Sequence, residues 1–194
     1  MAAARAAWQT DASGVAGIAP ERLVFLDECG VLTNMARLYG RSPRGERARG
    51  TALGGHWTRL TVLGALGPSG VVAAMSVRAA TSAAVFAAYL DQVLLPELRR
   101  TRPDAVLVMD NLSAHKNQAV KDAITAAGLT LRYLPRYSPD FSPIEPCWSK
   151  IKTALRAVAA RTVECLRAAL DTAAEVTAHD AAGWFGHCGY TSPN

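Results

Sequence analysis

Short apolar runs alternate along this chain with loops rich in glycine, proline and arginine, and the spacing within each run separates strands from helices. Leu23 to Asp27 (LVFLD) is an apolar run of strand type that ends on a carboxylate, and Val31 to Leu38 predicts a second extended piece. Tyr39 to Gly55, rich in Gly and Arg, reads as a loop. Trp57 to Leu66 alternates in the strand manner, with Leu60, Val62 and Leu66 on one side and Arg59 and Thr61 on the other. The turn Gly67-Pro68-Ser69-Gly70 leads into a further strand, Val71 to Val77. Two strands joined so tightly must pair antiparallel.

From Thr81 the spacing becomes helical, with Phe86, Tyr89, Leu90, Val93 and Leu94 on one face, until Pro96 kinks or ends the helix. Ala105 to Asp110 (AVLVMD) is again a buried-type strand ending on a carboxylate. A helix over Gln118 to Ala127 and a strand over Leu129 to Leu134 complete a βαβ unit. After the proline-rich loop Pro135 to Pro143, the positions Trp148, Ile151, Leu155 and Val158 mark the apolar stripe of a helix, and a second helix follows from about Thr162 to Val176. Antiparallel strands first, then parallel strands alternating with a helix, predict an α/β fold of ribonuclease H type: a mixed sheet flanked by helices. A doubly wound dinucleotide sheet fits less well, because neither strand is followed by a G-x-G-x-x-G turn. Residues 1–22 read as a flexible arm or remnant, 23–190 as one domain and 191–194 as a tail.

The 194 residues are 50% apolar and 19% charged, which suits one domain with an ordinary core and excludes a disordered chain. No stretch approaches the roughly 18 apolar residues of a membrane span, so no membrane association is expected. The net charge of +5 is modest, yet only four of the 21 basic residues are lysines. Arginine suits phosphate recognition, so the charge permits a polyanionic partner without demanding one. Cys29, Cys147, Cys165 and Cys188 form no C-x-x-C pair, which points to free thiols in a reducing compartment. Cys165, His179, His187 and Cys188 match no standard zinc spacing. The N-terminal run lacks a continuous apolar segment because Gln9, Thr10 and Asp11 interrupt it, so the cytoplasm is expected.

Asp27 and Asp110 each end an apolar strand, and strand ends of α/β sheets are where ligands collect. Taken singly, either is equally the first residue of a turn, and Asp110-Asn111 suits an Asx turn. Glu145 satisfies a capping box with Ser142 as N-cap and Pro143 at the first helical position. Pro146 opposes that register and favours a helix that starts at Pro146 with Glu145 just outside. Glu145, Ser149, Lys152 and Arg156 then follow one another along one helix face. Phosphodiester chemistry with two divalent ions needs several convergent carboxylates, and two strand ends plus a helix start can supply them.

The segments from Val24 to Glu28, from Val108 to Lys116 and from Tyr133 to Glu145 (YLPRYSPDFSPIE), with Trp148-Ser149-Lys150-Ile151-Lys152, resemble the catalytic domain of DDE transposases. The similarity runs from about Leu23 to Tyr190, and its nearest branch is the bacterial insertion sequences of the mariner superfamily. Thirty-four residues separate Asp110 from Glu145, the short spacing of that superfamily. The resemblance implies a ribonuclease H-like fold in which Asp27, Asp110 and Glu145 are catalytic and bind Mg²⁺, with Mn²⁺ as a substitute. It favours Asp27 over its neighbour Glu28 as ligand, and gives Asn111 and His115 supporting or DNA-contacting places near the site. Two positions flanking Glu145 depart from the pattern: Ser142 stands where Asn is usual, and Pro146 where a polar or charged residue is commoner.

The loop from Arg37 to Arg49 carries Arg37, Arg41, Arg44, Arg47 and Arg49 against Glu46 alone, the strongest charge cluster in the chain. A solvated loop is the ordinary reading of such a run, but its closeness to Asp27 favours contact with DNA phosphates, together with Lys150, Lys152 and Arg156. The resemblance implies cleavage at transposon ends and strand transfer into target DNA, at a TA dinucleotide, by a homo-oligomer near the nucleoid. Two other readings stay open: a catalytically silent DNA-binding relic or regulator, and a ribonuclease H-like nuclease or resolvase that cuts without joining. The resemblance also implies a helix-turn-helix DNA-binding region ahead of the first catalytic Asp; only 26 residues precede Asp27, so that region is expected from an upstream or overlapping reading frame.

Overall fold

A computed structural model describes residues 2–12, 14–51, 54–111, 117–173 and 175–191. Its centre is a five-stranded sheet in the order β3-β2-β1-β4-β5. Strands β1 (Leu23–Leu32), β2 (Arg59–Gly67) and β3 (Gly70–Val77) form an antiparallel meander. Strands β4 (Val106–Met109) and β5 (Thr130–Tyr133) continue it in parallel on the other side of β1. The helix α4 (Gln118–Ala126) makes the crossover between them. Gly70 closes the β2–β3 turn at φ 124°, a left-handed conformation in which any side chain is strained.

The sheet is buried on both faces because successive strand residues alternate between two apolar clusters. On one face Phe25, Cys29, Val31 and Val108 pack against α5 (Ile144–Val158), α6 (Val163–Ala173) and α7 (Ala178–His187). On the other, Val24, Leu26, Leu107 and Met109 pack against α4 and a long helical segment. That segment consists of α2 (Ala83–Tyr89), a π turn (Leu90–Leu94) and α3 (Leu95–Thr101). Pro96 therefore does not end the helix. The residue before it, Leu95, bonds back to the Leu90 carbonyl, and this wider turn accommodates a residue that cannot donate an N–H.

Three expectations are corrected. The described residues before β1 are not a loose arm: α1 (Ala2–Thr10) is helical, Trp8 is buried, and its Nε1 donates to the Tyr190 hydroxyl at 2.8 Å. The scarcity of large apolar residues in this segment hid a helix that is anchored by one tryptophan. Val31 to Leu38 is not a separate strand, because β1 runs unbroken to Leu32 while paired with β2, and the chain then turns. The C-terminal region holds α7 as well as α6; a capping box joins Thr177 and Asp180 at its start.

Candidate active site

The parallel pairing of β1 with β4 ends at Leu26 and Met109, so the next residues, Asp27 and Asp110, stand side by side on neighbouring strands. Asp110 lies just past the end of β4. Asp27 does not end its strand as expected, since β1 continues for five more residues against β2. The crevice exists because β4 stops there and β1 does not, and the Asp27 side chain is left facing the gap. Strand parity places Asp27 with Phe25 and Cys29 on the α5 side of the sheet and Glu28 on the opposite side. Glu28 is thus near enough to act on Asp27 through its charge, but it is not part of the cavity wall.

Glu145 comes from the first turn of α5, which starts at Ile144 with Pro143 as the capping position. Neither register expected from sequence holds. Pro146 falls on the third helical residue, whose N–H has no intrahelical acceptor anyway, and the Glu145 N–H bonds to the Ser142 carbonyl at 3.1 Å. Both departures from the family pattern are accommodated without removing Glu145 from the site. Asp27, Asp110, Asn111, Glu145 and Ser142 line one cavity of about 360 Å³, walled otherwise by the segment from Leu134 to Pro139. His115 lies outside the described residues.

The carboxyl of Asp27 is held at about 7, against an ordinary 3.8. Burial is the largest cause, and the neighbouring charges of Glu145 and Glu28 act in the same direction. Two donors oppose the shift: the Glu28 backbone N–H, and Trp148, whose Nε1 donates to Asp27 Oδ2 at 2.9 Å. Sequence reasoning placed Trp148 in the apolar stripe of α5 and gave it no role at the site. A buried indole N–H needs an acceptor, and Trp148, three residues after Glu145, finds Asp27. Among the described residues Asn111 Oδ1 is buried with no hydrogen-bond partner, an orphaned oxygen in the residue next to Asp110.

The basic residues divide into groups. Lys152 and Arg156 on α5 share a trough with Arg37, Gly30 and Leu32, while Arg156 also lines a second trough with Arg37, Arg49 and Arg161. Arg161, which the sequence reading passed over, anchors the start of the arginine loop by donating to the carbonyls of Met35 at 2.9 Å and Thr33 at 3.3 Å. Arg41, Arg44 and Arg47 are exposed on the loop outside both troughs. Lys150 is not brought to this face: it pairs with Asp180 on α7 at 2.5 Å. Arg136 lines the acid cavity instead, another residue the charge count did not single out. The same strand and helix that supply Asp27 and Glu145 thus continue into a cationic surface.

A family model described as DDE superfamily endonuclease matches residues 22–167. Among solved structures, the chain is similar to the Mos1 transposase paired-end complex with the left transposon end. The TM-score is 0.69 at 21% identity, over 86% of this chain and 52% of that one. It is also similar to the catalytic domain of the Mos1 mariner transposase, with a TM-score of 0.64 at 18% identity over 86% of this chain and 76% of that chain. A third similar structure is the Mos1 catalytic domain with raltegravir and Mg, with a TM-score of 0.65 at 18% identity over 86% of this chain and 78% of that chain. The chain therefore spans about half the length of the chain in the paired-end complex. No curated protein sequence matches it. At these identities the likeness concerns the fold, and the mixed sheet is ribonuclease H-like as expected from the strand order.

Proposed function

This chain belongs to the DDE superfamily endonucleases, and from that membership we propose that it is the catalytic domain of a DNA transposase. It cuts the DNA backbone at transposon ends and joins the freed 3′-hydroxyl to target DNA. The observation that carries the reading is one cavity lined by Asp27, Asp110 and Glu145, delivered by two adjacent strands and a helix start. No described helix is long and apolar enough to cross a membrane.

The donors fit divalent ions of the Mg²⁺ or Mn²⁺ class. They are carboxylate oxygens, which hard cations prefer, and the orphaned Asn111 Oδ1 adds an amide oxygen. Among the described residues no three acids or histidines are grouped closely enough to enclose one ion. Mg²⁺ is commonly held by one or two carboxylates with water and phosphate oxygens completing its shell. The similar Mos1 structures include complexes with Mn and with Mg. When bound, such ions activate the attacking oxygen and offset charge on the leaving oxygen.

The chain's own residues provide the frame. Trp148 fixes the orientation of the Asp27 carboxylate, and α5 sets Glu145 in the same cavity. Arg37, Lys152 and Arg156 hold backbone phosphates by charge, independent of base sequence. Cleavage and joining are both in-line displacements at phosphorus. In the first, water attacks and the 3′-oxygen leaves; in the second, that 3′-hydroxyl attacks a target phosphodiester and the target strand's own 3′-oxygen leaves. One site serves both by exchanging the nucleophile.

The test is incubation of the chain with Mg²⁺ or Mn²⁺ and labelled DNA carrying the element's inverted-repeat end, with and without an upstream DNA-binding region. Metal-dependent cleavage followed by joining is expected, and Asp110→Asn abolishes both. Absence of cleavage under every condition overturns the enzymatic reading. Cleavage that survives Asp110→Asn overturns the site assignment.

A further inference from the structure

Pro135 to Pro139 and Ser142 line one wall of the acid cavity, and the segment they belong to, Pro135 to Pro143, leads directly into the helix that carries Glu145. It has little backbone structure of its own. Arg136 and Tyr137 form a turn, and a 3₁₀ turn spans Pro139–Phe141, with the Phe141 N–H bonded to the Ser138 carbonyl and the Ser142 N–H to the Pro139 carbonyl. Tyr137 sits in the left-handed region at φ 56°, and its side chain is exposed. A non-glycine residue there persists only when its surroundings hold it.

What holds it comes from α1, at the far end of the sequence. Arg5 Nη1 donates to the Ser138 hydroxyl at 2.7 Å and to the Tyr137 carbonyl at 3.3 Å. The same guanidinium forks onto Asp140, with Nη1 to Oδ1 at 3.0 Å and Nη2 to Oδ2 at 2.5 Å. Its central carbon lies 4.6 Å from the ring centroid of Phe141. One turn further along α1, Trp8 donates to the Tyr190 hydroxyl, which donates to the Phe141 carbonyl at 2.7 Å. Two successive turns of one helix therefore grip Tyr137, Ser138, Asp140 and Phe141, although no residue of α1 itself lines the cavity.

A lone exposed Arg–Asp pair contributes little to stability. A planar fork engaging a carboxylate, a hydroxyl, a carbonyl and a ring at once does something different: it specifies geometry. We propose that α1 is a positioning element for the acid cavity, and that Arg5 is the residue through which it holds the cavity's loop wall. The catalytic consequence rests on the transposase reading; the coupling between α1 and the loop does not.

The experiment uses the full chain with Arg5→Ala and Arg5→Lys, the second keeping the charge but not the fork. Hydrogen exchange is followed at the Phe141 and Ser142 amides, alongside kcat and KM for cleavage of labelled inverted-repeat DNA with Mg²⁺. In Arg5→Ala, exchange at these two amides is expected to rise by about tenfold or more, while amides in β1 and β4 and the urea midpoint hold. A misplacement of about 1 Å at a site can cost on the order of 100-fold, so kcat falls by at least about tenfold with KM little changed. Arg5→Lys restores less than half of the loss. Unchanged loop exchange in Arg5→Ala overturns the coupling, and faster exchange with an unchanged kcat overturns the positioning role. A wild-type chain that cuts no DNA counts against the transposase reading alone, and the exchange result still decides whether α1 holds the wall.

Discussion

The indole of Trp148 reaches Asp27 because residue 64, the cross-strand partner of Asp27 on β2, has no side chain. A Cβ on Gly64 would stand 2.6 Å from Cη2 of Trp148. A glycine in one strand, a carboxylate in the next and a tryptophan from a helix behind them thus form one packed unit.

Trp148→Phe keeps most of the ring packing and removes the donor. A hydrogen bond to a charged group contributes about 1.5–3 kcal/mol, and supporting bonds of this kind around metal ligands are commonly worth about 10–100-fold. Single-turnover cleavage with Mg²⁺ should slow by that factor while the circular dichroism spectrum is unchanged. A full-rate Trp148→Phe enzyme would show that Asp27 needs no such donor.

Gly64→Ala places a methyl where the indole lies, and neither the strand nor the buried ring can yield cheaply. Overpacking of this sort costs about 1–3 kcal/mol. Urea unfolding followed by tryptophan fluorescence should show a lower midpoint with an unaltered slope, and cleavage should fall as in Trp148→Phe.

The Asp27 carboxyl, raised from 3.8 to about 7 by burial and neighbouring acids, makes stability depend on pH. Between those values the folded chain binds the proton more tightly than the unfolded chain. Its contribution is complete below about pH 4 and is lost as pH rises through about 7, with an upper bound on the order of 4 kcal/mol. In EDTA, urea midpoints should therefore fall from pH 5 to pH 8. Asp27→Asn should flatten that fall, and saturating Mg²⁺ should do the same by stabilising the carboxylate.

Lys152→Ala and Arg156→Ala should weaken DNA binding irrespective of sequence and lower the slope of log K against log salt by about one each. Lys150→Ala is the comparison, since its ammonium is engaged by Asp180 away from the troughs. Fluorescence anisotropy over a salt series separates them. An equal loss for Lys150→Ala would remove the reason for assigning DNA to the trough side of α5.

Trp8 is only 4% exposed, so the N-terminal helix contributes to the stability of the domain. Trp8→Ala should cost about 3–5 kcal/mol in urea unfolding, the range for truncating a buried large aromatic. An unaltered midpoint would return residues 1–22 to the status of an arm.

Much of the architecture was legible because it depends on local pattern. Continuous apolar runs at Leu23 to Asp27 and Ala105 to Asp110, the alternation over Trp57 to Leu66, the tight turn at Gly67 to Gly70 and the length of the Asp110 to Leu134 crossover pointed to antiparallel pairing first and parallel pairing afterwards. Helix α1 was missed for the opposite reason. Its residues are mostly small, and its fixation comes from partners at Tyr137, Ser138, Asp140 and Tyr190, more than 130 positions away, which no local window contains.

The candidate site divides along the same line. The identities of Asp27, Asp110 and Glu145 and their spacing are properties of the sequence alone, because chemistry requires oxygen donors and the motifs around them are linear. Which face Glu28 takes, that Lys150 turns to Asp180, and that Trp148 and Gly64 complete the Asp27 environment were settled only by tertiary structure. A side chain's direction follows from strand parity and helix phase, and these are fixed by what the whole sheet and its helices bury. Likewise, the elevated pKa of Asp27 is a property of its surroundings: burial and the nearness of Glu145 exist only once α5 has packed against β1.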